Sequence, residues 1–490
     1  MRRPLDRDTE ARTPKYFFTF AIILLMSGIF LVPAWDNGFP FVFFDSGTYL
    51  IGGIREPSRP PYYTLFNKFV DLNITPWFGI VLQTLTVSLI IWRLTSSLFE
   101  ITGFAPLAIL AIGLTAGTSL PWFAGWIMPD VFTALMILAL ALLCFAQDKF
   151  SRSWVIVLAL GIGAALAFHQ ANLLVAAWAL PALGLCALLG WRPARSSAHG
   201  LFAGAAGIAI GVAALVAVNV AAGRGFALSF HGPVVLLARL LDDGTALSYL
   251  EEACPQRRFA VCAQLDELKS YRAHPSSNEP LSDYFIWGGP LDKLGGFHAE
   301  QPEAIAIVQA TLAKYPLVQL RTTIHNGWRQ LFFVGTGSEL QPYSEEEYVS
   351  TAIKSRFGST VYEQYRNSKQ MRNILEFDLL NQVHISVLIA SSLFVLGAMV
   401  IKVKKPQASL YATLFVLILV IGNAFTLGGL NGPHQRYQSR VIWLVPLLAG
   451  CYLLTPQLRV TPSKGQPGNT HSGPDKGVAG AQGHHGGGGV

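Results

Sequence analysis

Residues 16–34 read YFFTFAIILLMSGIFLVPA, and no charged side chain interrupts this run. An apolar run of about 20 residues can cross a bilayer as a helix, because a helix satisfies the hydrogen bonds of its own backbone. The preceding residues 1–15 are basic and polar, but no obvious small-residue cleavage site follows the run. We therefore predict a retained first membrane helix and not a cleaved signal peptide.

The composition of the whole chain is typical of a membrane protein. Of 490 residues, 52% are hydrophobic and only 13% are charged, whereas soluble domains carry about 25% charged residues. The formal net charge is +7, but no basic stripe interleaved with aromatic residues is present. We attribute the positive charge to cytoplasmic loops and expect a lipid bilayer, and no nucleic acid, as a partner.

Further apolar runs predict an all-α polytopic membrane protein with about ten transmembrane helices. We place these helices at 16–34, 77–97, 104–121, 129–147, 153–170, 171–190, 200–222, 381–402, 408–428 and 440–456. The chain then divides into a basic tail (1–15), an N-terminal membrane module of about seven helices (16–222) with a first outer loop (35–76), a mainly helical inserted domain (223–380), a C-terminal membrane module of about three helices (381–456) and a disordered Gly/His-rich tail (457–490).

The distribution of Lys and Arg predicts the orientation of these helices. With the N-terminus in the cytoplasm, the short inside segments contain Lys15, Lys149, Arg152, Arg192, Arg195 and Lys402. Short cytoplasmic loops are the ones expected to be rich in Lys and Arg, and the outside turns near 122–129 and 170–172 contain neither. Both termini are therefore predicted to be cytoplasmic, and the segments 35–76, 223–380 and 429–439 to be periplasmic.

Two cysteines, Cys254 and Cys262, lie outside the predicted membrane helices and flank a short polar segment. In an oxidising compartment such a pair is typical of a disulfide that closes a small loop, and the alternative is two unrelated thiols. The other cysteines, Cys144, Cys186 and Cys451, lie in predicted membrane helices and are expected to pack as small apolar residues.

The first outer loop contains an acidic residue in apolar surroundings, Asp45 in FPFVFFDSGTYL (39–50). A carboxylate at a membrane interface is costly unless it has a partner or a function, such as that of a general base or a metal ligand. The structural alternative is a helix N-cap. Tyr49 and Arg59 lie in the same loop and are further candidates for substrate binding, although Arg59 could equally be an interfacial anchor.

The last outer segment reads GPHQRYQSR (432–440) and leads directly into an apolar helix. Arg436 and Arg440 are four positions apart, so they share one face if the helix begins here. Two guanidinium groups at the outer end of a membrane helix suit a phosphate, which they can hold bidentately. The alternative is that both are anchors at the lipid head groups. His434 is a further candidate for substrate binding in this segment.

Two candidates come from the helices between these segments. Asp130 follows Pro129 at the outer start of a helix, where a carboxylate also interacts favourably with the helix dipole. His169 lies at an outer turn and could be an acid–base group, a ligand or a structural histidine. In the inserted domain, Asp242 and Asp243 lie near a polar turn and are expected to be exposed to solvent.

With these residues in this order, the chain resembles the GT-C superfamily of membrane glycosyltransferases. These enzymes transfer a sugar from a polyprenyl-phosphate carrier at the outer face of the membrane. The resemblance rests on four elements, which are Asp45 after the first helix, Arg59-Pro60-Pro61-Tyr62 in the same loop, Pro129-Asp130, and Arg436-Tyr437. It covers the first seven helices well and the inserted domain thinly.

The resemblance implies that Asp45 is the catalytic base and that Arg436, with Arg440, holds the carrier phosphate. Asp130 and His169 would line the same cavity. The implied donor is a polyprenyl-phosphate-linked sugar, the acceptor is a lipid or glycan, and the location is the bacterial inner membrane. The family often has two acidic residues close together in the first loop, whereas Asp36 and Asp45 are nine positions apart. No cofactor is therefore assigned, and the role of a divalent metal is left open.

Two other functions compete with this one. A transporter or flippase for a lipid-linked substrate would use the same arginines for binding alone, although no internal repeat of the kind found in transporters is evident. A non-catalytic envelope assembly protein could share the fold, and the absence of a second acidic residue close to Asp45 favours that alternative.

Overall fold

The structure is a computed structural model that describes residues 7–54, 59–193, 195–275, 279–402 and 407–455. Within these ranges the secondary structure is helical, and no β-strand is formed apart from one isolated bridge between Phe41 and Trp126. The all-helical fold agrees with the predicted fold class. The predicted disordered tail, 457–490, lies outside the described residues.

In the described residues before position 223, eleven α-helices are formed. They are α1 (Arg7–Asn37), α2 (Ser46–Ile51), α3 (Tyr62–Asp71), α4 (Trp77–Leu98), α5 (Phe104–Gly117), α6 (Leu120–Ala124), α7 (Val131–Phe145), α8 (Arg152–Phe168), α9 (Asn172–Ala177), α10 (Ala179–Leu188) and α11 (Arg195–Ala221). A short 3₁₀ helix, Gln147–Lys149, precedes α8. Because α1 begins at Arg7, part of the predicted basic tail is helical.

The region from 223 to 380 forms shorter helices, and the last part of the chain forms longer ones. The first group is α12 (Gly232–Asp243), α13 (Thr245–Ala253), α14 (Leu265–Ala273), α15 (Leu281–Trp287), α16 (Pro290–Lys293), α17 (Gly296–Lys314), α18 (Pro316–Gln330) and α19 (Tyr348–Arg366), with a 3₁₀ helix at Ala260–Gln264. The second group is α20 (Asp378–Lys402), α21 (Ala408–Leu430), α22 (Gln435–Ile442) and α23 (Leu444–Leu454).

By length and composition, six helical segments in the described part of the chain could cross a membrane. They are Phe17–Asn37, Trp77–Leu98, Ser197–Ala221, Asp378–Lys402, Ala408–Leu430 and Gln435–Leu454. The other predicted spans coincide with apolar helical segments of 10–17 residues, which are Phe104–Gly117, Val131–Phe145, Arg152–Phe168 and Asn172–Leu188. These helices are consistent with a multi-pass membrane protein.

Three of the predicted spans are interrupted, which corrects the predicted boundaries. The span predicted at 104–121 ends at Gly117, because Thr118 is extended (φ −146°, ψ 165°) and Pro121 lies in the first turn of the separate helix α6. The span predicted at 171–190 breaks at Trp178 between α9 and α10. The span predicted at 440–456 begins earlier, at Gln435, and breaks at Trp443.

In the described part of the chain, three hydrophobic cores hold the helices together. The largest lies between the apolar helices, with α7 at its centre, where every residue except Phe132 is buried. A second core lies within α12–α17 and includes Leu237 and Phe285. A third, smaller core joins the first outer loop to α19 and includes Phe39 and Val349. Each fully buried apolar side chain of this size contributes about 1.5–3 kcal/mol, so the third core fixes that loop firmly.

Candidate functional site

Asp45 precedes α2, but its side chain does not cap that helix. Its backbone is in the right-handed helical region (φ −62°, ψ −21°), and its carboxylate makes no capping hydrogen bond. Instead, Oδ2 of Asp45 accepts hydrogen bonds from Nη2 of Arg59 at 2.7 Å and from Nε at 3.3 Å. The same oxygen lies 4.0 Å from Nη1 of Arg436. The carboxylate therefore has two cationic neighbours in place of a helix terminus.

Backbone and hydroxyl contacts hold the turn that carries Asp45. The N–H of Ile127 donates to the carbonyl of Phe41 at 2.9 Å, which ties the loop to the segment before α7. The hydroxyl of Ser46 accepts the N–H of Phe43 at 2.9 Å and donates to the carbonyl of Ile127 at 2.9 Å. The residues on both sides of Asp45 are therefore fixed, and its side chain has a defined direction.

Residues far along the chain fix the same loop. The side-chain amide of Gln370 accepts the N–H of Val42 at 3.1 Å and donates to the carbonyl of Val42 at 2.7 Å. A Cβ atom on Gly47 would lie 2.8 Å from the ring of Tyr348. Since side-chain contacts this short do not occur, only glycine lets α2 approach α19 so closely. The region that ends near 371 is therefore part of the support for Asp45.

Arg436 lies in the first turn of α22, between aromatic rings. Its guanidinium carbon lies 4.5 Å from the ring centroid of Phe43 and 5.5 Å from that of Tyr437. The side chain is only 11% exposed, yet Nε and Nη1 have no hydrogen-bond partner within the described ranges. Buried charged donors without acceptors are costly. This arrangement is typical of a position that receives an anionic ligand.

A small pocket that is partly open to solvent lies beside Arg436. Two indole side chains, Trp122 and Trp126, line it together with the carboxylate-bearing residue Glu339. The pocket therefore combines two indole rings with a carboxylate and a guanidinium.

Arg440 is enclosed more completely than Arg436. Its side chain has no exposed surface, and its Nη1 lies 3.4 Å from Oδ1 of Asp130. Nη2 donates to Oδ1 of Asn423 at 3.0 Å. Asp130, like Asp45, makes no capping hydrogen bond. The two predicted residues form an internal ion pair, and the charge of Arg436 also acts on Asp130.

Tyr49 and His169 lie near these groups. Tyr49 is buried and contacts Tyr63 edge-on, with ring centroids 5.2 Å apart. Burial raises the pKa of Tyr49, and the charges of Arg59 and Asp45 act on it in opposite directions. His169 interacts electrostatically with Arg440 and Asp130. Its Nδ1 atom is enclosed without a hydrogen-bond partner among the residues that the structure describes.

His434 faces away from this group and toward the region 223–380. Its Nε2 lies 3.7 Å from Oδ2 of Asp283. Its backbone N–H and carbonyl are both hydrogen-bonded to the side chain of Gln330, each at 2.8 Å. Burial is the main cause of the lowered pKa of His434. His434 therefore connects the start of α22 to the region 223–380, and it does not contact Asp45.

Cys254 and Cys262 are joined by a disulfide, with their Cα atoms 5.6 Å apart. The carboxylate of Glu303 accepts the N–H groups of Ala260 and Val261 at 2.7 Å and 3.0 Å, which fixes the same short loop against α17.

Asp243 was expected to be exposed to solvent, and this expectation is wrong. Its side chain is 1% exposed and pairs with Arg239 one helical turn earlier.

The surroundings of Asp45 do not fit a divalent cation. Among the residues that the structure describes, the charged groups that contact its Oδ2 atom are Arg59 and Arg436, and both are guanidiniums, which repel a metal ion. Across the described ranges, no group of three or more His, Cys, Asp or Glu side chains is placed to hold a metal ion. No step of the chemistry proposed below uses a metal.

Comparisons with known protein families, with curated proteins and with solved structures found no match for this chain. One site residue, Glu339, was missed in the sequence. Its sequence signal is the Gly-Thr-Gly turn that precedes it. This signal is too common to point to a site without the fold.

Proposed function

We propose that the protein is a membrane glycosyltransferase of the GT-C type, which moves a sugar from a polyprenyl-phosphate carrier to a lipid or glycan acceptor. In this proposal Asp45 is the general base and Arg436 holds the carrier phosphate. Arg440 lies on the same helix as Arg436, and its ion pair with Asp130 fixes the buried side of that helix. In this way Arg440 supports the position of Arg436. Arg59 and Tyr49 act at the acceptor side of Asp45.

The observation that carries the proposal is the environment of Arg436. Its Nε and Nη1 groups are buried and lack hydrogen-bond partners in the described structure. Nη1 lies 4.0 Å from Oδ2 of Asp45, a carboxylate that does not cap a helix. Transfer from a sugar phosphate can use a carboxylate as base and a cationic group to stabilise the leaving phosphate, and the two indole rings of the pocket offer a surface on which a sugar can pack.

The proposed reaction is a single displacement. Asp45 accepts the proton of the acceptor hydroxyl, and the acceptor oxygen forms a bond to the anomeric carbon of the sugar. The bond between this carbon and the phosphate oxygen breaks, and its electron pair stays on the phosphate. Arg436 stabilises the negative charge that develops there. A single displacement inverts the configuration at the anomeric carbon.

The proposed location is the bacterial inner membrane, with about ten spans and with both termini in the cytoplasm. Support comes from the basic residues of the short inside segments and from the helical segments that coincide with the predicted spans. In this orientation the region 223–380 is a periplasmic domain, and Asp45 and Arg436 face the outer leaflet. The disulfide between Cys254 and Cys262 suits that oxidising compartment.

The test is a mass-spectrometric comparison of envelope glycolipids and glycans. The strains are the wild type, a deletion strain, and the deletion strain complemented with the wild-type protein, with Asp45→Asn or with Asp36→Asn at matched protein levels. Asp36 is a suitable control because it is an exposed acidic residue near the same loop and pairs with Lys369. We expect the deletion to lose one sugar, which the wild type and Asp36→Asn restore and Asp45→Asn does not. Full restoration by Asp45→Asn would favour the transporter or the assembly protein.

A further inference from the structure

Helix α18 has polar and small residues on its buried face and large apolar residues on its exposed face. The buried residues of the helix are Gln319, Asn326, Gly327 and Gln330. The exposed apolar side chains of the helix and of the turn that follows it include Leu317, Leu320, Ile324, Trp328 and Phe332, which are between 51% and 78% exposed. In a water-soluble domain the apolar stripe of such a helix faces the core. The reversed arrangement is typical of a helix whose surroundings are apolar.

Hydrogen bonds on the buried face fix the rotation of α18 about its axis. The side-chain amides of Gln319 and Asn326 both donate to the carboxylate of Asp243, at 2.7 Å and 3.1 Å. The amide of Gln330 donates to the carbonyl of His434 at 2.8 Å. A rotation that turned the apolar face inward would leave these groups without their partners. The exposure of the apolar face is therefore a fixed property of the fold.

The position of α18 is set by α21, a candidate membrane span of 23 residues. A Cβ atom on Gly327 would lie 2.6 Å from the ring of Phe425, and one on Gly429 would lie 2.6 Å from the side chain of Thr323. The two helices are therefore in close contact along the last turns of α21. At a rise of about 1.5 Å per residue, Phe425 lies about 8 Å before the end of α21. Part of α18 is thus level with the membrane helix and not beyond its end.

The length and the charges of α18 suit one leaflet of a bilayer. A helix of 15 residues is about 22 Å long, which is too short for a hydrocarbon core of about 30 Å. The helix contains no Asp or Glu, and Arg321, His325 and Arg329 are exposed along one edge of its apolar face. Amphipathic helices with basic residues beside the apolar face lie in the plane of a membrane, with the basic groups near the lipid phosphates.

We propose that α18 is embedded in the leaflet next to the C-terminal end of α21, with Ile324 and Trp328 in contact with lipid acyl chains. In the orientation proposed above, this leaflet is the outer one. The inference rests on the proposed membrane location and not on sugar transfer. It refines the domain description, because one helix of the region 223–380 then belongs to the membrane and not to the aqueous periplasm.

The embedded helix is joined directly to the pocket beside Arg436. The chain continues from α18 into residues 335–340, which line that pocket. The N–H of Gly335 donates to the side chain of Gln435, the residue before Arg436, at 2.5 Å. Lipid contact at α18 therefore holds this side of the pocket next to the membrane.

The test measures the surroundings of α18 in the full-length protein, reconstituted in vesicles of phosphatidylcholine and phosphatidylglycerol. A nitroxide label is attached to one introduced cysteine, in Ile324→Cys or Trp328→Cys. Leu393→Cys, at an exposed position of the candidate span α20, is the lipid reference, and Glu346→Cys, at an exposed position after α18, is the water reference. The unsubstituted protein gives the background from the buried free cysteines. Collision rates are measured with oxygen, which concentrates in hydrocarbon, and with a water-soluble nickel chelate.

We expect the oxygen-to-nickel ratio at Ile324 and Trp328 to lie within about twofold of the ratio at Leu393 and at least about fivefold above that at Glu346, because hydrocarbon excludes a polar chelate. A ratio equal to that at Glu346 would overturn the inference. Low collision rates with both reagents would also overturn it, since they would show a protein contact such as a second copy of the chain. If Trp328→Cys does not fold, Ile324→Cys decides.

The reference positions separate this inference from the proposals on which it depends. A lipid-like ratio at Leu393 with water-like ratios in α18 would remove the inference alone. A water-like ratio at Leu393 would remove the proposed membrane location together with it. The envelope comparison has no influence on either result, so the glycosyltransferase proposal can fail while α18 is found in the bilayer.

Discussion

Arg440 and Asp130, which are 310 positions apart in the chain, form an ion pair in which Nη1 lies 3.4 Å from Oδ1. The two side chains are 0% and 2% exposed. The carboxylate has a further buried oxygen, Oδ2, and the guanidinium has a buried Nε group, and neither has a hydrogen-bond partner in the described ranges. The pair therefore joins α22 to the start of α7 in a part of the protein that water does not reach.

Removing one member of this pair should destabilise the protein strongly. Breaking a buried ion pair typically costs about 3–5 kcal/mol, because the other charge stays buried without a partner. We expect Asp130→Ala and Arg440→Met each to lower the stability by this amount in denaturant unfolding of the purified protein. The double variant should regain at least half of the stability that a single variant loses, since no unpaired charge then stays buried.

The surface pair Asp36–Lys369 is the control, at 2.7 Å and with side chains 64% and 36% exposed. Its removal should change stability by less than about 1 kcal/mol. If Asp130→Ala is as mild as Asp36→Asn, the pair is not buried as described here.

Replacing Arg436 should affect sugar transfer more than folding. Arg436→Gln removes the proposed phosphate contact, and the loss of one such group lowers the rate about 10²–10³-fold. Arg436→Lys keeps the charge but loses the bidentate geometry, so an intermediate rate is expected. The measurement is the rate of transfer, in isolated membranes, of the sugar that the envelope comparison identifies. Arg329→Gln, at an exposed arginine, is the matched control, and a wild-type rate in Arg436→Gln would contradict the proposed role.

Glu300 should make the stability of the region 223–380 depend on pH. Its side chain is 1% exposed and its Oε1 atom has no hydrogen-bond partner in the described structure. Burial, followed by the charge of Glu303, raises the pKa of Glu300 from 4.5 to about 8. The folded protein therefore keeps a proton that the unfolded chain has lost, and stability should fall as the pH rises from about 4.5 to about 8.

Glu300→Gln should remove this dependence and stabilise the protein at pH 8.5 by roughly 4 kcal/mol more than at pH 5. Apparent melting temperatures at the two pH values measure the difference. Glu346→Gln, at an exposed carboxylate, should change little at either pH. An equal shift at both pH values would show that Glu300 does not titrate in this range.

The disulfide should be present in cells and should stabilise the loop that it closes. Alkylation of intact cells is expected to leave Cys254 and Cys262 unmodified. After a reductant is added, both thiols should react, and mass spectrometry should detect the mass of the added alkyl groups. Because the two residues are eight positions apart, the chain-entropy model gives a contribution of about 2–3 kcal/mol. Finding both thiols free in intact cells would also remove one support for the periplasmic location of this region. Cys186, which is buried and free, serves as the internal reference for unreacted thiols.

The positions of the apolar helices could be predicted from the sequence, because each long run of apolar residues forms its own hydrogen bonds. The breaks at Thr118 and Trp443 could not. The first depends on an extended residue before α6, and the second is accompanied by a hydrogen bond from the indole N–H of Trp443 to the carbonyl of Arg440 at 2.9 Å. Such local hydrogen bonds leave no trace in the hydrophobic periodicity.

Several members of the candidate site could be proposed from the sequence, but Glu339 was missed and the geometry could not be predicted. Asp45 was recognisable as a carboxylate in an apolar stretch, Arg59 as an arginine of the same loop, and Arg436 as an arginine at the outer end of a predicted membrane helix. The structure brings the three together. Whether Asp45 caps a helix depends on where Arg59 is placed, which the sequence does not state. The support from Gln370, 328 positions away from Val42, and the partners of Arg440 depend on tertiary packing alone.

The hydrogen bonds from Arg59 to Asp45 join two parts of the first outer loop that are 14 positions apart. Because Arg59 donates twice to Oδ2, the carboxylate and the guanidinium fix each other's position before any ligand binds. A site that is assembled in advance loses less conformational entropy on binding than one that its ligand must first order.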